Sequence, residues 1–436
     1  MRRSRYCALG FLIALAANSA AAEPSDYQRM LEKLHITAMR PGADGNNPAA
    51  PNAANYDEAR AGTLPLPDPL RLSSGAPVTT RAAWWQKRRP EIVALFDNEI
   101  YGRVPATLPT VHWEHQAAVP HGSTAITEHR IGRVDNRAFP QVPVDIAMDL
   151  TLPVGAKGPV PVVIVLSWTG KFANQPVPEG QGPDWREQVL AAGWGYVELV
   201  PTTIQPDDPK KLREGIIGLA NKGGPRTPEQ WGALRAWAWG TSRAIDDLLT
   251  DPRIDGKRIA VAGHSRYGKA ALVAMAYEPR LAIGFISSSG AGGAKLWRRD
   301  FGERLENLSG EGEYHWMAGN FLRYGGPKSV TDLPIDAHEL IALCAPRPVF
   351  IGSGTPGAGD SWVDPRGMFL AAVAAGPVYR LLGEKDLGTD QFPPLGTALT
   401  EGALGFRQHP FGHTPQPNWA AFLSFAKARF KASPPQ

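Results

Sequence analysis

The chain has 436 residues, 43% apolar and 20% charged, with 46 Lys and Arg against 42 Asp and Glu for a net charge of +4. This composition supports a sizeable core and excludes disordered, collagen-like and coiled-coil proteins. The charge balance is too even for a nucleic-acid binder, and two cysteines rule out a disulfide-stapled scaffold or a Cys-rich metal site. Thirteen Trp and 41 Pro are the unusual counts; that much Trp suggests large buried anchors or a sugar-binding surface.

The chain opens with Arg2, Arg3 and Arg5, then an apolar or small-residue run from Ala8 to Ala17, then Asn18-Ser19-Ala20-Ala21-Ala22. A basic start, a short apolar run and an Ala-x-Ala site predict a secretory signal peptide over residues 1–22. The run is too short to span a bilayer. Cleavage would remove three basic residues and no acidic ones, leaving a balance of +1, and would take Cys7 with it, leaving Cys344 alone. The expected location is periplasmic or secreted, with stability drawn from core burial rather than disulfides.

Residues 23–79 form a lead-in whose Pro, Ala, Asn and Gly content reads as an extended, loosely packed arm. A helix is expected from Trp84 to Tyr101, kinked or started by Pro90. The catalytic domain, residues 80–436, then alternates strands and helices. Val142–Met148 alternates as a half-buried strand, and Val160–Leu166 is the continuous β-branched run of a strand buried on both faces. Gly195–Val200, Arg258–Ala262, Leu281–Ile286, Pro348–Ile351 and Val378–Leu382 read as further strands. Helices are expected at Trp231–Leu249 and Ala420–Phe430. The pattern implies a mostly parallel sheet with helices on both faces, an α/β three-layer sandwich.

The chemistry sits where the Arg258–Ala262 strand runs into Gly263-His264-Ser265-Arg266-Tyr267-Gly268-Lys269. A serine between a buried strand and a small-residue helix is the context of a nucleophile elbow, and it leaves the Arg266 backbone N–H placed to donate to an oxyanion. The second glycine comes one residue later than in the common G-x-S-x-G pattern, with Tyr267 in its usual place. A serine hydroxyl needs a base, and in this fold class the partners follow in the order Ser, acid, His. Either His409 or His413, in a Gly/Pro loop before the closing helix, fits the base; His413, nearer that helix and behind Gly412, is preferred. A metal pair at these histidines is disfavoured, because Pro410 and Gly412 break a helix and no nearby carboxylate completes a site. Asp360 or Asp364, beyond the Pro348–Ile351 strand, fits the acid. Asp364 precedes Pro365 and has a turn role to explain it, so Asp360 is favoured.

The Gly263–Lys269 run resembles the G-[CH]-S-R-x-G-K elbow of the glucuronoyl esterases, carbohydrate esterase family 15, which belong to the α/β-hydrolase superfamily. The likeness extends from Thr80 to Phe430 and includes Trp231–Gly240, Asp360–Pro365 and Gly412-His413. It implies a serine esterase that hydrolyses the ester of (4-O-methyl-)glucuronic acid in lignin–glucuronoxylan linkages. By resemblance Ser265 is the nucleophile and His413 the base, while the Arg266 side chain helps stabilise the oxyanion. Lys269 would bind sugar hydroxyls and Trp362 would lie against the sugar ring. The alternatives are that Arg266 and Lys269 are solvated or paired with a surface acid and that Trp362 is a packing residue, although a Trp beside the proposed acid in a Gly-rich loop favours exposure at a cleft. Many members carry the acid as a Glu where this chain has Ser288; bacterial members often place an Asp after the next strand, where Asp360 lies. The family's Gln and Glu sugar ligands do not align cleanly with Glu303–Glu313, and Glu306 is carried as a guess. Trp316 reads as a second platform or as core. The expected partner is a glucuronoxylan or lignin–carbohydrate ester, met by a monomer without cofactor, metal, nucleic acid or membrane. The competing readings are a deacetylase of acetylated xylan or another carbohydrate, and a carbohydrate-binding protein with a vestigial triad.

Overall fold

A computed structural model describes residues 24–169 and 176–432; the expected signal peptide lies outside them. Eleven strands form one sheet: β1 (Val111–His115), β2 (Val119–His121), β3 (Ala125–Val134), β4 (Asp145–Pro153), β5 (Val160–Leu166), β6 (Gly195–Leu199), β7 (Ile254–His264), β8 (Ile283–Ser287), β9 (Val349–Ser353), β10 (Ala398–Leu399) and β11 (Leu404–Gln408). Their order is β1-β3-β4-β6-β5-β7-β8-β9-β11-β10, with β2 paired to β3. The strands β6, β5, β7, β8, β9 and β11 run parallel, and the pairings outside them are antiparallel. Among the described residues no helix is long and apolar enough to cross a membrane.

The apolar runs explain the layers. Along β5, Val162 and Ile164 join a cluster that includes Ile245 and Leu248 of the helix Ala233–Leu248 and Leu272 of the helix Arg266–Tyr277. Val163 between them joins a second cluster with Phe285, Phe350, Trp419 and Phe422, closed by the helices Trp185–Ala191 and Trp419–Ala432. Alternate residues of one strand therefore feed opposite faces, which is why no polar position interrupts it. This is the α/β-hydrolase architecture, with helices on both sides of a mostly parallel sheet.

One expected strand is a helix. Val378–Leu382 lies at the end of the 17-residue helix Pro365–Leu381. Gly376-Pro377 reads as a break, yet the helix runs through Pro377, and Val378 and Tyr379 are fully buried on its inner side. Tertiary packing outweighs the missing proline N–H. The strand beside β9 is instead β11, whose short Leu404–Gln408 run is interrupted by Gly405. Pro90 takes both roles offered by the sequence. It sits in the first turn of the helix Arg89–Glu99, directly after a wide π turn at Trp84–Arg88.

The lead-in is bonded along the body rather than loose. Arg40 pairs with Glu306 and donates to the carbonyls of Tyr324 and Gly326. Ala43 exchanges two hydrogen bonds with the Asn307 side chain, and Asn55 binds the backbone of Asp300 and Gly302. Its small and polar composition hides this, because the contacts are mainly polar and backbone-directed.

The second cluster centres on Phe285, stacked on Phe422 at 5.0 Å and meeting Trp419 edge-on at 5.2 Å. Truncation of this ring next to the strand end that leads to Ser288 is expected to cost ~3–5 kcal/mol. Urea unfolding of Phe285→Ala measures it, and a loss under 1 kcal/mol would contradict this packing.

Candidate active site

Parallel register brings the strand ends to one edge: His264 pairs with Ser287, Ser287 with Gly352, and Ser353 with Gln408. The residues after each strand emerge side by side. Ser265, between β7 and the elbow helix Arg266–Tyr277, is held at φ 58° and ψ −129°, a conformation costly for a non-glycine residue. Its N–H donates to Ser287 O at 2.9 Å. Gly263 permits the bend: a Cβ there would lie 2.0 Å from Tyr267 O. A Cβ on Gly268 would lie 2.7 Å from Ser287 O, so the late second glycine lets the helix approach β8. Tyr267, in the usual glycine position, is buried against Trp168 and Trp237.

His413 and Asp360 arrive on adjoining loops. The β9 and β11 loops are in backbone contact: Thr355 N donates to Phe411 O at 2.8 Å, and Gly412 leaves no room for a Cβ against Ala358 O. His413 Nδ1 lies 2.6 Å from Asp360 Oδ1. The other Asp360 oxygen accepts Gly354 N–H at 2.6 Å and the Ser288 hydroxyl at 2.8 Å. Asp360 is buried, while the His413 ring is 40% accessible. A carboxylate on Nδ1 fixes the tautomer that leaves the Nε2 lone pair free to take a proton.

The alternatives are placed elsewhere. His409 is fully buried; it donates from Nε2 to Thr414 O and accepts Phe411 N–H at Nδ1, bracing the loop. Burial lowers its pKa. Asp364 caps the helix Pro365–Leu381 through Gly367 N–H and pairs with Arg299. Ser288, at the position where an acid is absent from this chain, donates its hydroxyl to Asp360.

Two cations rise from the first turn of the elbow helix. Arg266 Nη1 binds Asp207 Oδ2 at 2.7 Å, and its guanidinium lies between Trp168 at 5.5 Å and Trp316 at 5.1 Å. Asp207 also accepts His315 Nε2 at 3.0 Å and Trp316 Nε1 at 2.7 Å. Burial alone would raise the Asp207 carboxyl, but these bonds and the Arg266 charge hold it down at about 2. Lys269 is buried, with Nζ 2.9 Å from Glu303 Oε2 and 2.6 Å from Ala291 O.

The wider likeness agrees with this edge of the sheet. A family model described as "Glucuronyl esterase, fungi" matches residues 226–383. A curated carbohydrate esterase, MZ0003, from an unknown prokaryotic organism is 35% identical over 428 residues, covering 90% of this chain and 96% of that protein. The chain belongs to carbohydrate esterase family 15, the glucuronoyl esterases. A solved structure of a CE15 glucuronoyl esterase from Teredinibacter turnerae superposes with a TM-score of 0.87 at 47% identity, covering 93% of this chain and 99% of that one. A 4-O-methyl-glucuronoyl methylesterase from Wolfiporia cocos is 30% identical, covering 74% of this chain and 73% of its own.

Other site neighbours in this glucuronoyl esterase were not legible as such in the sequence. Asp207 lies in Gln205-Pro206-Asp207-Asp208-Pro209, which reads as a turn. Glu303, rather than Glu306, meets Lys269; Glu306 is engaged by Arg40 of the lead-in. Trp316 is buried, and its ring flanks both cations. Trp362 is partly buried and its backbone carbonyl accepts Glu303 N–H. Glu313 shares this neighbourhood. Desolvation first, and the Glu303 charge next, raise its carboxyl to about 7 against the pull of Lys269 and Arg266.

Ser288→Ala removes one donor from a buried carboxylate and is expected to cost ~1–3 kcal/mol of stability, with kcat falling more than KM changes; urea unfolding and steady-state kinetics measure both. Glu313 gives a pH signature. Between the ordinary 4.5 and about 7 the folded protein holds a proton that the unfolded chain has lost, so this group destabilises the fold increasingly as pH rises through that window. Glu313→Gln is therefore expected to gain more stability relative to wild type at pH 8 than at pH 5, read as melting temperature.

Proposed function

We propose that the protein is a serine esterase that hydrolyses the ester of (4-O-methyl-)glucuronic acid by two-step acyl transfer. The observation that carries this is the Asp360–His413 pair, set beside an elbow serine and two cations on one helical turn. Ser265 Oγ attacks the ester carbonyl while His413 Nε2 takes its proton. The tetrahedral oxyanion is stabilised by the Arg266 backbone N–H at the helix start and by the Arg266 side chain, which is anchored through Nη1 alone among the described residues. His413 returns the proton to the leaving alcohol, and water then frees the acid by the reverse sequence. The imidazolium formed in each step is offset by the Asp360 carboxylate.

Lys269, Glu303 and Trp362 supply the uronate specificity in this reading. Lys269 and Glu303 present one cation and one acceptor to sugar hydroxyls, and Trp362 offers an apolar ring face. Such a pocket on the acyl side favours a uronate ester over an acetyl ester, whose acyl group has nothing to fill it. The substrate is a glucuronoxylan or lignin–carbohydrate ester, met after export. No step calls for a metal or organic cofactor.

Methyl or benzyl glucuronate compared with 4-nitrophenyl acetate tests the assignment. Wild type is expected to prefer the glucuronate esters in kcat/KM, and Ser265→Ala to lose at least ~10³-fold. Faster turnover of the acetyl ester would overturn the substrate assignment. Equal activity in Ser265→Ala would overturn the mechanism and support a binding role.

A further inference from the structure

The lead-in builds a second wall around Trp362. Residues 43–56 form a closed loop: Asp44 N donates to Asn52 O, and Ala54 N donates to Asp44 O, both at 2.8 Å. Gly45 lies against the indole, where a Cβ would sit 2.7 Å from the Trp362 ring. Between this loop and the Gly359–Trp362 segment runs an open cleft of about 670 Å³, lined among others by Asp44, Asn46, Asn52, Tyr56, Ser361 and Trp362. Asp360 sits inside that same segment, and Gly302, beside Glu303, bonds to Asn55 O. The cleft therefore adjoins both the acid loop and the Lys269–Glu303 pair.

The lining defines its ligand. It carries one carboxylate, Asp44, and no Lys, Arg or His, so an anion is repelled and a neutral molecule is not. The Asn46 side-chain amide, the Asn52 side-chain oxygen Oδ1 and the Trp362 indole N–H have no hydrogen-bond partner among the described residues. Tyr56 is 41% exposed and held edge-on by Phe301 at 5.8 Å, which fixes one aromatic face at the cleft. Unpaired amide donors and acceptors lining a cleft together with two aromatic side chains match a pyranose, which has hydroxyls at its rim and C–H groups on its faces. Neither Arg266 nor Lys269 is part of this lining.

We propose that residues 43–56 form, with Trp362 and Ser361, a subsite for a neutral sugar of the polysaccharide chain that carries the uronate. This rests on the glucuronoyl esterase reading and extends it beyond the ester-bearing ring. The lead-in is then a specificity element: it selects a uronate still attached to its chain over a free uronate ester.

The test is kinetic. Asn46→Ala/Tyr56→Ala is compared with wild type on methyl glucuronate and on the methyl ester of a glucuronoxylo-oligosaccharide. The double variant is expected to lose about tenfold in kcat/KM on the oligosaccharide, through KM, as two small binding contacts would give, with methyl glucuronate changed less than about twofold. Melting temperature reports whether the variant folds, and Asn46→Ala alone, an exposed site, gives a smaller loss of the same selectivity. Equal losses on both substrates, or none on either, would overturn the subsite. A loss confined to benzyl over methyl glucuronate would also overturn it, by placing the alcohol there. Failure of wild type to hydrolyse methyl glucuronate at all would instead overturn the underlying reading.

Discussion

The buried carboxylate of Asp360 is the constraint on which the site depends. A charge taken out of water is costly unless it is fully bonded, and this one is bonded by groups from three neighbouring strand ends. Ser288 follows β8, Gly354 follows β9 and His413 follows β11. Each donor is delivered by the parallel register of the sheet. A one-residue slip in β8, β9 or β11 would leave the charge underbonded and the imidazole unoriented, so the electrostatics of the site and the geometry of the core select the same register. The positive φ of Ser288, 42°, belongs to this arrangement, since the chain must turn there for the hydroxyl to reach Asp360.

Around Ser265, two cations are each paired with a carboxylate. Arg266 is balanced by Asp207 and Lys269 by Glu303, three residues apart on one helix. Trp316 links the two pairs, donating to Asp207 and placing its ring beside both cations. The cations are thus held in place before substrate arrives, which is the condition for electrostatic stabilisation without reorganisation. Balance also limits the field: an ester, neutral before reaction, enters without an excess of positive charge to trap the anionic product. Glu313, with its raised carboxyl, adds a group whose charge changes near neutrality in the same neighbourhood.

Local pattern made much of this legible. The β-branched run of β5, the elbow at Gly263–Gly268, and the Gly/Pro loops holding Asp360 and His413 all announce themselves, because tight turns and doubly buried strands restrict residue type. What was hidden depends on contacts between distant segments. Asp207 and Glu303 look like turn or surface acids until the fold sets them against Arg266 and Lys269. The lead-in looks loose because its anchors are single polar side chains, Arg40 and Asn55, on a Pro/Ala/Gly background. The exchange of Val378–Leu382 for Leu404–Gln408 as the strand beside β9 has a similar origin. A short apolar run bounded by Gly-Pro satisfies the strand pattern, and only burial across the sheet decides between them.

Asp360→Asn tests most directly whether Asp360 acts through His413. The amide keeps the shape of the site but can donate to Nδ1, stabilising the wrong imidazole tautomer. Steady-state kinetics on methyl glucuronate, with folding checked by circular dichroism, should show kcat reduced by ~10³–10⁴-fold with KM little changed. A folded Asp360→Asn enzyme retaining kcat within about tenfold of wild type would contradict the assignment of this carboxylate as the orienting acid.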